Sequence, residues 1–297
     1  MRIMITGASG FVGRNLQPYL EVEGFDVSPL SLRNSWSHKL PEQCNAIVHL
    51  AGKAHDTKNA SAPEEYFKVN TDLTKQLFDC FLQSNARDFI YFSSVKAAAD
   101  TVEGVLVEDV VPSPQTPYGQ SKWQAEQYLN GHALPSGKRV FLLRPCMIHG
   151  PGNKGNLNLL YQIVGKGLPW PLAAFENERS FLSIDNLNFI ISRILEDAAI
   201  PGGTYNLADD EVLSTNELIE LIGEARSKKA SLWKIPRWLI NNIAKVGGTL
   251  RLPLNTERLK KLTESYVVGN AKIKSALGIE KLPIPAREGL LKTLRSF

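Results

Sequence analysis

The sequence predicts an α/β protein with a doubly wound parallel sheet and a smaller C-terminal α/β domain. In its first half, short β-rich runs alternate with longer helical patterns, and this order requires right-handed crossovers between parallel strands. The runs at residues 3–5 and 46–48 are continuously apolar, which is typical of strands buried on both faces. A chain of 297 residues is long enough for such a sheet and a second domain.

The same patterns place each element. The predicted strands of the first half are residues 2–6, 26–30, 46–50, 89–93 and 139–144, and the predicted helices there are 11–23, 64–84 and 118–130. Residues 145–171 are rich in Gly, Pro and Asn and are predicted to form a loop. Helical patterns return at 184–198, 215–228, 236–245 and 271–277. We expect one domain at 1–150 and a second at 151–297, with some chain returning to the first around 180–200.

Composition excludes several classes of protein. With 43% hydrophobic and 22% charged residues the chain is not of the disordered type, and a net charge of +4 is too small to indicate a nucleic-acid partner. The three cysteines, Cys44, Cys80 and Cys146, show neither disulfide nor metal-ligand spacing. No run of 18 apolar residues is present, so we expect no integral membrane segment, and the reducing cytoplasm is the expected location.

A glycine-rich turn follows the first predicted strand directly. Its sequence, Gly7-Ala8-Ser9-Gly10-Phe11-Val12-Gly13, has the spacing GxxGxxG at the junction of a strand and a helix. Glycines there permit a tight turn and let the backbone approach a pyrophosphate, while the helix N-terminus presents amides to that anion. The turn predicts a dinucleotide-binding site; the alternative is a glycine-rich turn without a ligand.

The end of the second predicted strand bears on the choice of coenzyme. An acidic residue at this place binds the ribose hydroxyls of NAD, but here the position holds Ser31, with Arg33 two residues later. A hydroxyl and a guanidinium suit a 2′-phosphate, which an acid would repel. We therefore favour NADP(H), with NAD(H) left open because Arg33 can also be a solvated loop residue.

Three side chains suit proton transfer. Tyr118 and Lys122 have the spacing YxxxK, which places both on one face of a helix, and Ser94 lies at the carboxyl end of a predicted strand. A tyrosine has a pKa of about 10. We expect the Lys122 ammonium and a cationic nicotinamide to lower the pKa of Tyr118, so that it exchanges a proton with a substrate hydroxyl while hydride moves.

With these motifs the chain resembles the extended short-chain dehydrogenases/reductases of the NAD-dependent epimerase/dehydratase family. That family has the Rossmann fold and includes UDP-galactose 4-epimerases, nucleotide-sugar 4,6-dehydratases and 4-ketoreductases. The motifs that carry the resemblance are Gly7-Ala8-Ser9-Gly10-Phe11-Val12-Gly13, His49-Leu50-Ala51-Gly52, Phe92-Ser93-Ser94, Pro117-Tyr118-Gly119-Gln120-Ser121-Lys122 and Leu143-Arg144-Pro145.

The resemblance implies roles for particular residues. Ser94, Tyr118 and Lys122 would be catalytic, and Ser94 would also touch substrate. The cofactor-binding set would be Gly7, Ser9, Gly10, Phe11, Val12, Gly13, Ser31, Arg33, Leu50, Ala51, Gly52, Tyr118 and Lys122. Asn156, Leu157 and Arg179 would bind the diphosphate of a nucleoside-diphosphate sugar; the alternative for Arg179 is a surface ion pair with Glu176 or Glu178. A homodimer is the family expectation.

Departures from the family pattern narrow the reaction. Val95 and Lys96 stand where the dehydratases carry an Asp-Glu pair, which argues against water elimination. Ser31 stands where the epimerases keep an acidic residue at the end of the second strand. The short stretch before residue 46 indicates that one strand–helix unit is missing or reduced. We favour an NADP(H)-dependent 4-ketoreductase that transfers hydride at C4 of a UDP- or other NDP-sugar. The alternatives are an NAD-dependent 4-epimerase and, from another class, a non-catalytic NADP-sensing protein.

One further stretch is unusual. Trp233, Lys234, Arg237, Trp238 and Lys245 combine aromatic and basic side chains around Pro236. Such a segment can touch a membrane surface. Because it is short, we favour a helix that covers the substrate cleft.

Overall fold

A computed structural model of the chain describes residues 1–33, 36, 40, 43–53, 62–153, 156–249 and 255–297. The strands in this part are β1 (Arg2–Thr6), β2 (Asp26–Leu30), β3 (Ala46–His49), β4 (Asp88–Phe92), β5 (Val105–Leu106), β6 (Arg139–Pro145), β7 (Met147–His149), β8 (Arg179–Ser183), β9 (Gly203–Leu207), β10 (Val212–Leu213) and β11 (Val267–Val268). The α-helices are α1 (Phe11–Val22), α2 (Pro63–Tyr66), α3 (Leu73–Leu82), α4 (Pro117–Asn130), α5 (Asn156–Gly165), α6 (Ile184–Glu196), α7 (Thr215–Ala225), α8 (Arg237–Thr249), α9 (Thr256–Thr263), α10 (Ala271–Leu277) and α11 (Ala286–Arg295).

Six strands form a parallel sheet in the order β2-β1-β3-β4-β6-β9. The chain moves from β1 to β2 on one side and then returns to place β3 on the other side of β1. In open parallel sheets such a reversal creates a crevice at the carboxyl ends of the strands. The predicted doubly wound α/β fold is confirmed.

The central strands are buried along their whole length. Every residue of β3 and β4 is buried, as expected for apolar strands that are covered by helices on both faces. In the described residues between β2 and β3 there is no helix or strand, and a missing or reduced unit there stays a prediction.

Local signals fix where the helices begin. α4 starts at Pro117 because the Thr116 hydroxyl accepts a hydrogen bond from the Gly119 amide at 3.2 Å and proline suits the first helical position. Ser214 and Glu217 form a capping box before α7, each bonding to the backbone of the other. These caps orient the helices that follow strand ends.

A second hydrophobic core lies beside the sheet. It is built on the sheet β10-β8-β7 and on the helices α5, α7, α8, α9 and α11, with Leu157, Phe181, Leu221, Ile240 and Leu290 among its buried side chains. α6 returns to pack against α1, and β9 closes the main sheet. A division of the chain near residue 150 stays a prediction.

Two expectations about elements were wrong in detail. The predicted loop at 145–171 contains β7 and α5, because Leu157, Leu160 and Val164 form a helical stripe buried in the second core. The predicted helix at 64–84 is interrupted by a π-helical turn at Phe67–Asp72, held by polar contacts described below. The strands β5 and β7–β11 and the helices α9 and α11 had no prediction.

Among the described residues, the helices are too short or too polar to cross a bilayer.

Candidate active site

The glycine-rich turn lies at the crevice between β1 and β3. Gly7 has a φ of +70°, and a Cβ on it would stand 2.7 Å from the Ala51 nitrogen, so only glycine fits. The Gly10 amide donates to the Gly7 carbonyl at 2.9 Å, and a Cβ on Gly13 would be 2.5 Å from Ala8 Cα. The predicted tight turn is thus present, and Ser9 is exposed at its tip.

The N-terminus of α1 opens from this turn. Gly10 is its N-cap, and no side chain caps the helix. Phe11 and Val12 are half-buried in its first turn and pack on the sheet. The positive end of the helix dipole therefore points to the crevice, where it favours an anion.

The loop after β3 forms the opposite side of the crevice. The Ala51 amide donates to Thr6 Oγ1 at 3.0 Å, and that hydroxyl lies 2.7 Å from His49 Nδ1. His49 Nε2 lies 2.9 Å from Thr74 Oγ1, which donates to the Asn70 carbonyl at 2.7 Å.

These contacts form one buried chain of hydrogen bonds, which we call the Thr6–Thr74 relay. Because the Thr74 hydroxyl donates its only hydrogen to the Asn70 carbonyl, it can only accept from His49. The His49 ring must therefore donate from Nε2 to Thr74 and accept at Nδ1. Burial lowers the pKa of His49 to about 3, with the Lys122 charge acting in the same direction, so the ring is neutral at physiological pH. His49 is therefore a structural histidine that fixes the position of Ala51.

Asn70 is a site residue that the sequence did not reveal. It lies in the π-helical turn, fully buried, where its Oδ1 accepts from the Lys53 amide at 2.7 Å. Its Nδ2 donates to the Lys53 carbonyl at 3.1 Å and to Ser121 Oγ at 3.0 Å. Asn70 thus ties the loop of Ala51 and Gly52 to α4. No local sequence signal identifies it, because the partners of its side chain, Lys53 and Ser121, are distant in the chain.

The three predicted proton-transfer residues come together. Ser94 follows β4 and caps a short 3₁₀ turn, and its hydroxyl is hydrogen-bonded to Tyr118 at the start of α4. One helical turn later, Lys122 is buried, and its Nζ donates to the Phe92 carbonyl at 2.7 Å. We call residues 50–52, after β3, the coenzyme loop. A Cβ on Gly52 would lie 3.1 Å from Lys122 Nζ, so the glycine allows this loop to approach the lysine closely.

In the chain without coenzyme Lys122 does not lower the pKa of Tyr118 below its usual value, and the expected effect of a cationic nicotinamide stays a prediction. Burial raises the pKa of Tyr118 above its usual value of 10.0, and the hydrogen bond from Ser94 opposes this only in part. Burial also lowers the pKa of Lys122 to about 8, against the neighbouring charge of Glu126. Tyr118 therefore keeps its proton at neutral pH.

An ion pair underlies this face of α4. Glu126 is fully buried and accepts hydrogen bonds from Arg144 Nε at 2.9 and 3.1 Å, while Arg144 itself is 3% exposed. Since Glu126 lies one turn after Lys122, the pair joins β6 to the helix that carries the proposed catalytic groups.

The predicted substrate residues are spread along the second half. Arg179 is half-buried at the start of β8, where burial lowers its pKa and Glu264 opposes this. In the described part of the chain it makes no ion pair with Glu176 or Glu178. The Leu157 side chain is buried in the second core and can offer a ligand only its backbone. The side chain of Asn156 lies outside the described residues.

Lys96 adds a second cation near Ser94. Burial lowers the pKa of Lys96, with the charge of Arg179 acting in the same sense. Its Nζ donates to the Asp100 carbonyl at 2.8 Å and lies 4.1 Å from the centre of the Tyr266 ring. Ser31 and Arg33 are both exposed just after β2, on the other side of the crevice, and the Arg33 amide approaches Ser31 Oγ at 3.4 Å.

The chain matches the model of the NAD-dependent epimerase/dehydratase family over residues 3–208, more than half of its length. This chain belongs to that family. The prediction of an enzyme of this family is thereby confirmed.

Relatives from this family cover most of the chain. A UDP-glucose 4-epimerase of Vibrio cholerae is 29% identical over 99% of this chain and 95% of its own. A GDP-6-deoxy-D-mannose reductase of Pseudomonas aeruginosa is 28% identical over 75% of this chain and 79% of its own. The structure of RMD from Pseudomonas aeruginosa complexed with NADPH has a TM-score of 0.73 and 23% identity, covering 99% of this chain and 98% of that one, and so shares the fold.

An NAD(P) coenzyme fits the residues of the crevice. The turn at Gly7 has no space for a side chain, the uncapped start of α1 suits a pyrophosphate, and Lys122 Nζ lies beside Gly52 on the coenzyme loop. When bound, the nicotinamide would supply or accept a hydride.

Proposed function

We propose that the protein is an NADP(H)-dependent 4-ketoreductase that reduces C4 of a nucleoside-diphosphate sugar. The observation that carries the proposal is the contact between Ser94 and Tyr118, with Lys122 one helical turn away, at the carboxyl edge of the sheet beside the glycine-rich turn. The named activities of the two relatives, a nucleotide-sugar reductase and a nucleotide-sugar epimerase, support a substrate of this class.

Tyr118 acts as the proton donor in this proposal. Its raised pKa keeps the phenol protonated at neutral pH, so it can give its proton to O4 of the keto sugar as that oxygen gains charge. With substrate bound, the Ser94 hydroxyl would release Tyr118 and donate its single hydrogen to the same oxygen. Lys122, held by the Phe92 carbonyl, would bind the ribose, and its positive charge would stabilise the Tyr118 phenolate that remains when the proton leaves.

The other residues of the crevice would bind NADP(H) and the diphosphate of the sugar substrate. Ser31 and Arg33 are exposed where the adenosine ribose of a dinucleotide lies in this fold, and they suit a 2′-phosphate. Gly7, Ser9, Gly10, Phe11, Val12 and Gly13 would hold the pyrophosphate, with Leu50, Ala51 and Gly52 along the nicotinamide half. Arg179 and the backbone of Asn156 and Leu157 would hold the substrate diphosphate.

Dehydration is not part of the proposal, because Val95 and Lys96 provide no carboxylate next to Ser94. A 4-epimerase stays the second candidate, since the Vibrio relative is named as one and the same three residues can oxidise and then reduce C4. A homodimer and a cytoplasmic location also stay predictions.

The decisive experiment combines coenzyme identification with turnover. We expect purified protein to bind NADPH more tightly than NADH and to consume NADPH when given a UDP- or GDP-linked 4-keto-6-deoxyhexose. Tightly retained NAD, together with interconversion of UDP-glucose and UDP-galactose type pairs, would instead identify an epimerase. Coenzyme binding with no turnover of either substrate class would favour the sensing protein.

The proposal predicts that Tyr118→Phe lowers kcat by about 10²- to 10⁴-fold, because the general acid is removed. Tyr128→Phe is the matched control on the same helix, since its hydroxyl donates to Asp79 at 2.8 Å, away from Ser94. Turnover of the Tyr118→Phe protein equal to that of the control would contradict the proposal.

A further inference from the structure

The positive charge of this protein is concentrated in one segment. Between Glu224 and Glu257 the sequence contains seven basic residues and no acidic one. Because the whole chain has only 34 basic and 30 acidic residues, the remainder is net acidic. A local excess of this kind favours an anionic surface as partner.

The helix in this segment, α8, is only half covered by the described part of the protein. Ile240 and Ala244 are buried in the second core. On the neighbouring arc of the helix, Leu239, Ile243 and Val246 are 38%, 45% and 55% exposed. At about 100° per residue, these three side chains fall within about 60° of each other. They form a continuous apolar stripe that faces away from the core.

Two tryptophans flank this stripe. Trp238 at the start of α8 is 66% exposed, and Trp233 in the preceding segment is 55% exposed. Single exposed apolar residues are ordinary, but a contiguous group of large ones marks an interaction surface. We call Trp233, Trp238, Leu239, Ile243 and Val246 the α8 surface.

The α8 surface is held firmly on the molecule. The backbone of Leu232 pairs with Trp170, and that of Lys234 pairs with Leu172. Arg237 Nε donates to the Ala174 carbonyl at 2.8 Å. These contacts fix the helix, so its exposed side is presented as a formed surface.

We propose that the α8 surface binds the face of a membrane that contains anionic lipids. α8 would lie in the plane of the interface, with Leu239, Ile243 and Val246 against the acyl boundary. Tryptophans favour the headgroup region, where the indole has both an apolar body and a polar N–H. Exposed Lys234 and Lys245 would contact lipid phosphates.

The charge pattern favours a bilayer over a protein partner. A protein groove recognises a docked helix mainly through regularly spaced apolar side chains. Binding of that kind does not require a segment without acidic residues. An anionic bilayer attracts each basic residue near its surface and repels each acidic one. A second copy of this chain would bring another net-positive segment against the first, which is unfavourable.

The test is co-sedimentation of the full chain with vesicles of phosphatidylcholine alone or with about 30% phosphatidylglycerol. We expect binding to the anionic vesicles, weakened by high salt, and a blue shift of tryptophan fluorescence on binding. Trp238→Ser combined with Ile243→Ser, and separately Lys234→Glu with Lys245→Glu, should each weaken binding by about tenfold or more.

Val22→Ser is the matched control, because Val22 is 86% exposed but lies between Glu21 and Glu23 on α1. All variants change exposed side chains, and unaltered thermal unfolding would verify their folds. Binding to anionic vesicles that is absent, or equal in wild type and both double variants, would overturn the proposal. A concentration-dependent dimer lost only in the Trp238→Ser, Ile243→Ser protein would likewise overturn it and assign the surface to a second copy.

Discussion

Glycine is required at position 7 for two separate reasons, its backbone conformation and its close contact with Ala51. Its φ of +70° is a left-handed conformation that other residues adopt at a cost, and its α-hydrogen faces the Ala51 amide. We predict that Gly7→Ala displaces the loop after β3 and abolishes measurable NADPH binding, in addition to destabilising the protein by about 1–3 kcal/mol. Fluorescence titration and urea unfolding measure the two effects.

Gly24→Ala separates backbone strain from close contact. Gly24 also has a positive φ, +86°, but nothing lies within 4 Å of its hypothetical Cβ. It should lose stability through strain alone and bind NADPH normally. If Gly7→Ala retained the affinity of Gly24→Ala, the close approach to Ala51 would have no part in shaping the crevice.

The positions of residues in local motifs could be predicted from the sequence, whereas residues defined by distant partners could not. The spacing of Tyr118 and Lys122 and the strand end at Ser94 follow from local sequence, and the structure brings all three together. Asn70 depends on Lys53 and Ser121, which lie 17 and 51 residues away. The pKa of Tyr118 depends on burial, which also arises only from the folded chain.

At the scale of elements, α4 depends on a buried charge pair. Glu126 on α4 and Arg144 on β6 are both buried, and removing one partner would leave the other charge uncompensated. We predict that Glu126→Gln destabilises the protein by about 3–5 kcal/mol in urea unfolding. Its effect on activity should follow, because the same helix holds Tyr118 and Lys122.

An exposed pair provides the comparison for this prediction. Glu257 and Lys261 on α9 are each more than half exposed and lie 2.7 Å apart. Glu257→Gln should change the free energy of unfolding by no more than about 1 kcal/mol, because water screens such pairs. Similar losses in both variants would show that burial does not govern the Glu126–Arg144 pair.

The elements that escaped prediction have identifiable physical causes. α5 begins among glycines and asparagines that indicate a loop, and only its burial against the second core reveals the helical stripe. β9 is short and half polar, and it is a strand because its backbone pairs with β6 from Phe141 to Pro145. The π-helical turn depends on the buried contacts of Asn70. In each case tertiary packing decides over local preference.

At the scale of the whole molecule, stability should decline in acid because of one histidine. His49 is buried in the Thr6–Thr74 relay with its pKa lowered to about 3, against 6.5 when it is solvated. Between pH 6.5 and pH 3, His49 binds a proton in the unfolded chain but stays neutral in the folded protein. The free energy of unfolding therefore falls as the pH falls from about 6.5 toward 3.

We predict that His49 contributes a loss of about 2 kcal/mol by pH 5, relative to neutral pH. His49→Gln should show a shallower dependence of the free energy of unfolding on pH between about 6.5 and 5. Urea unfolding of both proteins across this range measures the difference. An identical slope in the two proteins would mean that other groups account for the acid sensitivity.

The π-helical turn makes the number of residues in one segment as important as their identity. A π turn contains one residue more than the regular helix needs, and each residue rotates a helix by about 100°. Removal of any single residue from 67–72 would allow a regular α-helix. It would also rotate the helix on one side of the deletion, α2 or α3, so that its side chains no longer face their present contacts. Asn70 and Thr74 could then no longer reach Ser121 and His49 together. A one-residue deletion here should therefore be less tolerated than many substitutions.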